Sequence, residues 1–93
     1  MVIGVVYLEI SIPDANSLKE KRRILKSLIE RARNRFNISV AETGLNDVWK
    51  SAEISIVTVG NETKFVNSVC SNVLNMFEME PFIMIRDCWT RIL

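Results

Sequence analysis

SLKEKRRILKSLIERARNRF, residues 17–36, is the stretch of sequence that decides the fold. Ser17 followed three residues later by Glu20 is a capping box, which starts a helix by satisfying its first free N–H groups. Apolar side chains then recur at helical spacing, on one face of an otherwise mostly charged segment. They are Leu18, Leu25, Leu28, Ile29, Ala32 and Phe36. The pattern predicts an amphipathic helix over 18–35 that packs on one side of a sheet.

Four segments around this helix have the period of two that is typical of β-strands. They span residues 2–12, 38–42, 49–59 and 82–93. A second amphipathic helix is predicted before the last strand, with Asn61 as its N-cap, Glu62 in its first turn and Pro81 marking its end. The order β-α-β-β-α-β is that of a ferredoxin-like fold. Its central strands would be the first and third, which agrees with the apolar residues on both of their faces. We therefore predict a single α+β domain over 1–93, with two helices on one face of a four-stranded antiparallel sheet.

The composition argues against most kinds of catalytic site. The 93 residues include no histidine, so the commonest general base and the commonest metal ligand are both missing. The two cysteines, Cys70 and Cys88, lie far apart and outside any C-x-x-C spacing, and we expect two reduced, half-buried thiols. We therefore predict a non-enzymatic protein without catalytic residues, metal or cofactor.

The distribution of apolar residues predicts a cytoplasmic protein. No run approaches the roughly 18 apolar residues that a membrane-spanning helix needs. The apolar residues 1–8 lack a basic leader and a small-residue cleavage site, so they are interpreted as a strand rather than a signal peptide. We expect no association with a membrane.

Three strings of sequence resemble the YlxP-like family of small bacterial proteins. They are Ser17-Leu18-Lys19-Glu20-Lys21-Arg22-Arg23, Arg35-Phe36-Asn37-Ile38-Ser39-Val40-Ala41-Glu42 and Asp47-Val48-Trp49. The resemblance covers the whole chain and implies a ferredoxin-like fold. The family has no assigned function and no established catalytic residue. Its genes often lie beside those for transcription, translation and ribosome maturation factors, which implies RNA or a ribosomal particle as a partner.

Charge is concentrated in the first helix. Residues 18–36 contain eight basic and two acidic side chains, a net charge of +6, whereas the rest of the chain carries −5. Three interpretations stay open: a solvated helix face, a surface that binds anions such as RNA phosphates, and a surface that docks on an acidic protein. The candidate anion- or RNA-binding residues are Lys19, Arg22, Arg23, Lys26 and Arg33.

The sheet face without helices is the second candidate surface. Its predicted apolar centre, to which Trp89 could add, is formed by Ile3, Val5, Tyr7, Val57 and Val59. Base stacking in an RNA-recognition motif needs aromatic residues on both central strands, and the third strand has none here. Because monomers rarely leave so large an apolar patch in water, we predict a homodimer. The alternative function is therefore a self-associating structural or regulatory domain, whose interface could frame a small-molecule site.

Two single residues are ambiguous from the sequence. Lys21 falls in the middle of the apolar face of the first helix. It either extends past the first turn to water or forms a buried pair with a carboxylate such as Asp47. Trp49 follows a predicted loop, where we expect it to anchor the loop on the core, the alternative being a ligand contact.

Overall fold

The computed structural model describes residues 1–93 and contains the six elements in the predicted order. They are β1 (Val2–Ser11), α1 (Leu18–Arg35), β2 (Ser39–Gly44), β3 (Ser51–Gly60), α2 (Thr63–Glu78) and β4 (Met84–Ile92). The strands form one antiparallel sheet in the order β2-β3-β1-β4. The ferredoxin-like fold and the central positions of β1 and β3 are confirmed. The bounds of α1 agree with the prediction at both ends.

The core lies between the two helices and one face of the sheet. Alternate residues of the central strands point toward the helices and are fully buried, among them Leu8, Ile10 and Ile54. The helices contribute Leu25 and Leu28 from α1 and Val66, Val73 and Phe77 from α2. Each such side chain stabilises the fold by about 1.5–3 kcal/mol when it leaves water, so this layer holds the sheet and helices together.

Gly4 allows α2 to lie close against the centre of the sheet. A Cβ atom at this position would come within 2.6 Å of Val66 Cγ1 and 2.7 Å of Cys70 Sγ. Real Cβ contacts are longer, so any side chain here would force α2 away from β1. Burial against this strand also raises the pKa of the Cys70 thiol.

Several local predictions need correction. Glu62, not Asn61, is the N-cap of α2, and its side chain makes no capping hydrogen bond. The reason is that β3 stays paired with β1 as far as Gly60, so the turn into the helix needs two more residues. Cys70 and Cys88 are both free, but one is buried and the other exposed rather than half-buried.

Neither helix is long and apolar enough to cross a membrane.

Candidate functional site

Four cations lie free on the N-terminal half of α1. Lys19, Arg22, Arg23 and Lys26 are exposed and make neither an ion pair nor a hydrogen bond through their side chains. Their spacing of three and four residues places them on one side of the helix. Together with Ser17 and Glu20 they surround a shallow surface depression. We call these four residues the basic patch.

The cations of the C-terminal half of α1 are engaged with the protein. The Arg31 guanidinium lies 2.9 Å from Glu80 Oε2, a carboxylate that is nearly buried. Arg33 Nη2 donates to the carbonyl of Val40 in β2 at 2.9 Å. Arg35 stacks over the Phe36 ring at 5.2 Å. The sequence groups Arg33 with the four free cations. One of its donors is bound to β2, and it lies about 10 Å along the helix from Lys26, so it is not part of the basic patch.

Lys21 is buried completely beneath the basic patch. Its ammonium donates to the carbonyls of Leu45 and Val48, both at 2.7 Å, and lies 2.7 Å from Glu42 Oε2. The two carbonyls accept two of the three ammonium hydrogens, and the Glu42 carboxylate faces the ammonium as its ion-pair partner. Of the two interpretations of Lys21, extension to water is wrong and the buried pair is present. Its partner is Glu42 rather than Asp47, because alternation along β2 turns Glu42 toward the helices while Asp47 stays exposed.

Glu42 depends on Lys21 for its neutralisation. Glu42 Oε2 is buried and has no hydrogen-bond partner, so the nearby ammonium is its only compensation. The three strings that carry the family resemblance also meet at this point. Lys21 belongs to the first string, Glu42 to the second and Val48 to the third. The sequence shows the three strings, but only the fold brings them to one ammonium group.

The loop that Lys21 holds, residues 45–50, is here called the tip loop. Leu45 has the left-handed φ of 59°, and the N–H of Val48 donates back to its carbonyl. Lys50 closes the other end by donating to the carbonyl of Pro13 at 2.6 Å. Trp49 does not anchor this loop on the core, since 52% of it is exposed. The prediction failed because the main chain, bound by Lys21, supplies the anchor instead.

The open face of the sheet carries the predicted apolar set. Across β1 and β3, Ile3 is paired with Val59 and Val5 with Val57. Tyr7 stacks on Trp89 of β4, with the ring centroids 5.5 Å apart and the planes 18° from parallel. Val57, Val59 and Trp89 are each at least 40% exposed. The apolar patch is therefore contiguous and uncovered, as the sequence predicts.

One row of this open face is acidic, which the sequence analysis missed. Glu9 is directly opposite Glu53 on one side and Asp87 on the other. Partial burial and the nearby carboxylates of Glu53, Glu9 and Asp87 raise the pKa of the Tyr7 phenol. The three carboxylates are not arranged to hold a metal ion. Alternation along the strands predicts that Glu9 and Glu53 lie on this face. Asp87 could not be placed beside them from the sequence, because the register of β4 against β1 shifts after Glu9.

Comparison with known proteins gives a curated relative and, among the solved structures, designed proteins of similar fold. The uncharacterized protein YlxP of Bacillus subtilis (strain 168) is 35% identical over 82 residues, covering 88% of this chain and 89% of the relative. A de novo designed protein with a ferredoxin fold, LFR1 1, superposes with a TM-score of 0.58 at 16% identity, over 98% of this chain and 86% of its own. The de novo designed protein Foldit4 gives 0.53 at 13% identity, over 98% and 96%.

The two designed proteins support the fold alone, because their sequences are too different to carry more. The family assignment comes from the sequence matches. Residues 3–89 match the family described as "Protein of unknown function (DUF503)". With a relative that is 35% identical over most of both chains, this match shows that the protein belongs to the DUF503 family.

Proposed function

We propose that this protein is a non-enzymatic binding module that contacts RNA phosphates through the basic patch. The observation that carries the proposal is the lack of any protein partner for Lys19, Arg22, Arg23 and Lys26. Like charges at these spacings cost a helix about 0.2–0.5 kcal/mol per pair, and a bound polyanion would relieve that repulsion.

The charge of the opposite surface supports the same assignment. The row of Glu9, Glu53 and Asp87 makes the open sheet face repel phosphates, so a nucleic acid would approach from the helix side. Four phosphate contacts would make log K fall against log salt with a slope of about −3 to −4. Such contacts fix position without reading sequence, so binding is expected to be weak and similar for different RNAs.

Fluorescence anisotropy with two unrelated labelled RNAs tests this proposal. Arg22→Gln with Lys26→Gln should weaken binding to both RNAs and make the salt slope shallower by about two phosphate contacts. The matched control is Lys64→Gln with Arg86→Gln, which removes two exposed cations outside α1. The proposal fails if micromolar wild-type protein binds neither RNA at about 50 mM salt. It also fails if the control pair weakens binding as much as the patch pair.

A second candidate function is self-association through the open sheet face. The supporting observation is the uncovered apolar centre of that face, where Val57 is 40% and Val59 51% exposed beside the Tyr7–Trp89 stack. We propose a homodimer in which Ile3, Val5, Tyr7, Val57 and Val59 are buried against a second copy. The acidic row would then lie toward the rim, because buried carboxylates without cations are costly.

Sedimentation velocity at tens of micromolar tests the homodimer. Val57→Asp should give monomers because it places a charge at the centre of the proposed interface. Val48→Asp is the matched control, since Val48 is 43% exposed but belongs to the tip loop. A monomeric wild-type protein at this concentration would rule out the homodimer, as would dissociation by Val48→Asp alone.

A further inference from the structure

We infer that the patch binds single-stranded RNA and that Trp49 stacks on one unpaired base of it. The inference rests on the proposed function and adds the class of nucleic acid. It starts from the position of the tip loop. Lys21 lies on α1 between the patch residues Lys19 and Arg22, and its ammonium holds the carbonyl of Val48 at 2.7 Å. Trp49, the next residue, is thereby placed near the N-terminal end of α1, the half of the helix that carries the patch.

The tip loop is held in one conformation by several contacts. Its main chain is bound at Leu45 and Val48 by Lys21, and the carbonyl of Lys50 accepts from the N–H of Ile12 at 2.7 Å. Leu45 accepts the strained left-handed φ that the turn requires. The carbonyls of the loop accept hydrogen bonds from the body of the protein, while the side chains of Leu45, Val48 and Trp49 are exposed to solvent. An exposed indole on a fixed loop loses little freedom when it binds a ligand.

The class of ligand follows from asking which single molecule an exposed indole and a cationic patch could both bind. Aromatic side chains stack on any unpaired base, while basic side chains follow the phosphates of the same strand. A duplex keeps its bases stacked inside and would offer the patch only phosphates. The second indole, that of Trp89, is unsuited to this role. It is stacked on Tyr7, covered by the Arg91 guanidinium at 4.9 Å, and adjacent to the acidic row.

Two RNA probes of equal length separate the stacking from the phosphate contacts. They are a labelled single-stranded oligouridylate of about ten nucleotides and a blunt RNA duplex of the same number of base pairs, measured at equal salt. Trp49→Ala should weaken binding of the single strand by about 5- to 150-fold, as expected for losing one base–indole stack. Binding of the duplex and both salt slopes should stay unchanged. Trp49→Phe should retain most of the affinity, and Trp89→Phe is the matched control outside the tip loop.

Trp49 emission gives an independent readout. In the Trp89→Phe variant Trp49 is the only indole, and the single strand should quench its fluorescence while the duplex should not. If both probes bind but Trp49→Ala changes neither affinity, the inference is overturned while the basic patch stands. Leu45, Val48 and Trp49 would then be an apolar surface for a protein partner. If neither probe binds the wild-type protein, the proposed function and this inference both fail.

Discussion

The N-terminal half of α1 carries five cations and the C-terminal half three, and the two halves use them differently. In the C-terminal half, Arg31, Arg33 and Arg35 contact Glu80, the Val40 carbonyl and the Phe36 ring. In the N-terminal half, the four patch residues point to solvent without partners, while Lys21 among them is the most deeply buried cation of the chain. A run of basic residues therefore does not specify its role, because the role depends on which element packs against each position.

Breaking the buried pair of the N-terminal half should have the largest effect. Lys21→Met leaves Glu42 buried without a cation and should lower the free energy of unfolding by about 3–5 kcal/mol. Urea denaturation monitored by circular dichroism measures this loss. Adding Glu42→Leu should recover part of it, because both charges are then removed while the carbonyls of Leu45 and Val48 still lack the lysine donor. Lys19→Met, two residues away on the exposed side, should stay within about 0.5 kcal/mol of the wild type. A similar loss for both lysines would contradict the structure.

The C-terminal half should show a smaller loss. Arg31→Gln removes the partner of the nearly buried Glu80 carboxylate and should cost about 1–2 kcal/mol. The loss is moderate because Arg31 is half exposed and its side of the pair is screened by water. Urea denaturation at low and high salt measures the difference in the free energy of unfolding between the wild type and Arg31→Gln. This difference should be smaller at high salt, because salt screens the ion pair. Equal stability of wild type and variant at low salt would show that the bridge contributes nothing.

The smallest effect is expected in the patch itself, with the opposite sign. Arg22 has Lys19 and Lys26 as its charged neighbours at helical spacing and no acidic one. Arg22→Gln removes these two repulsive pairs, so it should raise the free energy of unfolding by about 0.4–1 kcal/mol. The same variant should weaken RNA binding under the proposed function. A gain in stability with unchanged RNA affinity would mean that the patch is only a solvated helix face.

Local signals explain why α1 was predicted to the residue. The Ser17 hydroxyl accepts from the N–H of Glu20 at 3.1 Å, and Glu20 Oε2 accepts from the N–H of Asn16. Five consecutive residues, 16–20, therefore determine where the helix begins. The central places of β1 and β3 likewise follow from the apolar residues on both faces of each strand. The N-cap of α2 could not be predicted in this way, because the pairing of Gly60 with Val2 decides where the turn begins.

The sequence by itself determined the order of the elements, the amphipathic faces, the excess of charge in α1 and the apolar half of the open sheet face. Each of these depends on residues a few positions apart, which a helix or strand brings to one side. Only the tertiary structure decided that Lys21 pairs with Glu42, that Arg33 is bound to β2 and that Asp87 completes an acidic row. These contacts join elements distant in the chain, so their partners depend on register and packing rather than on local periodicity.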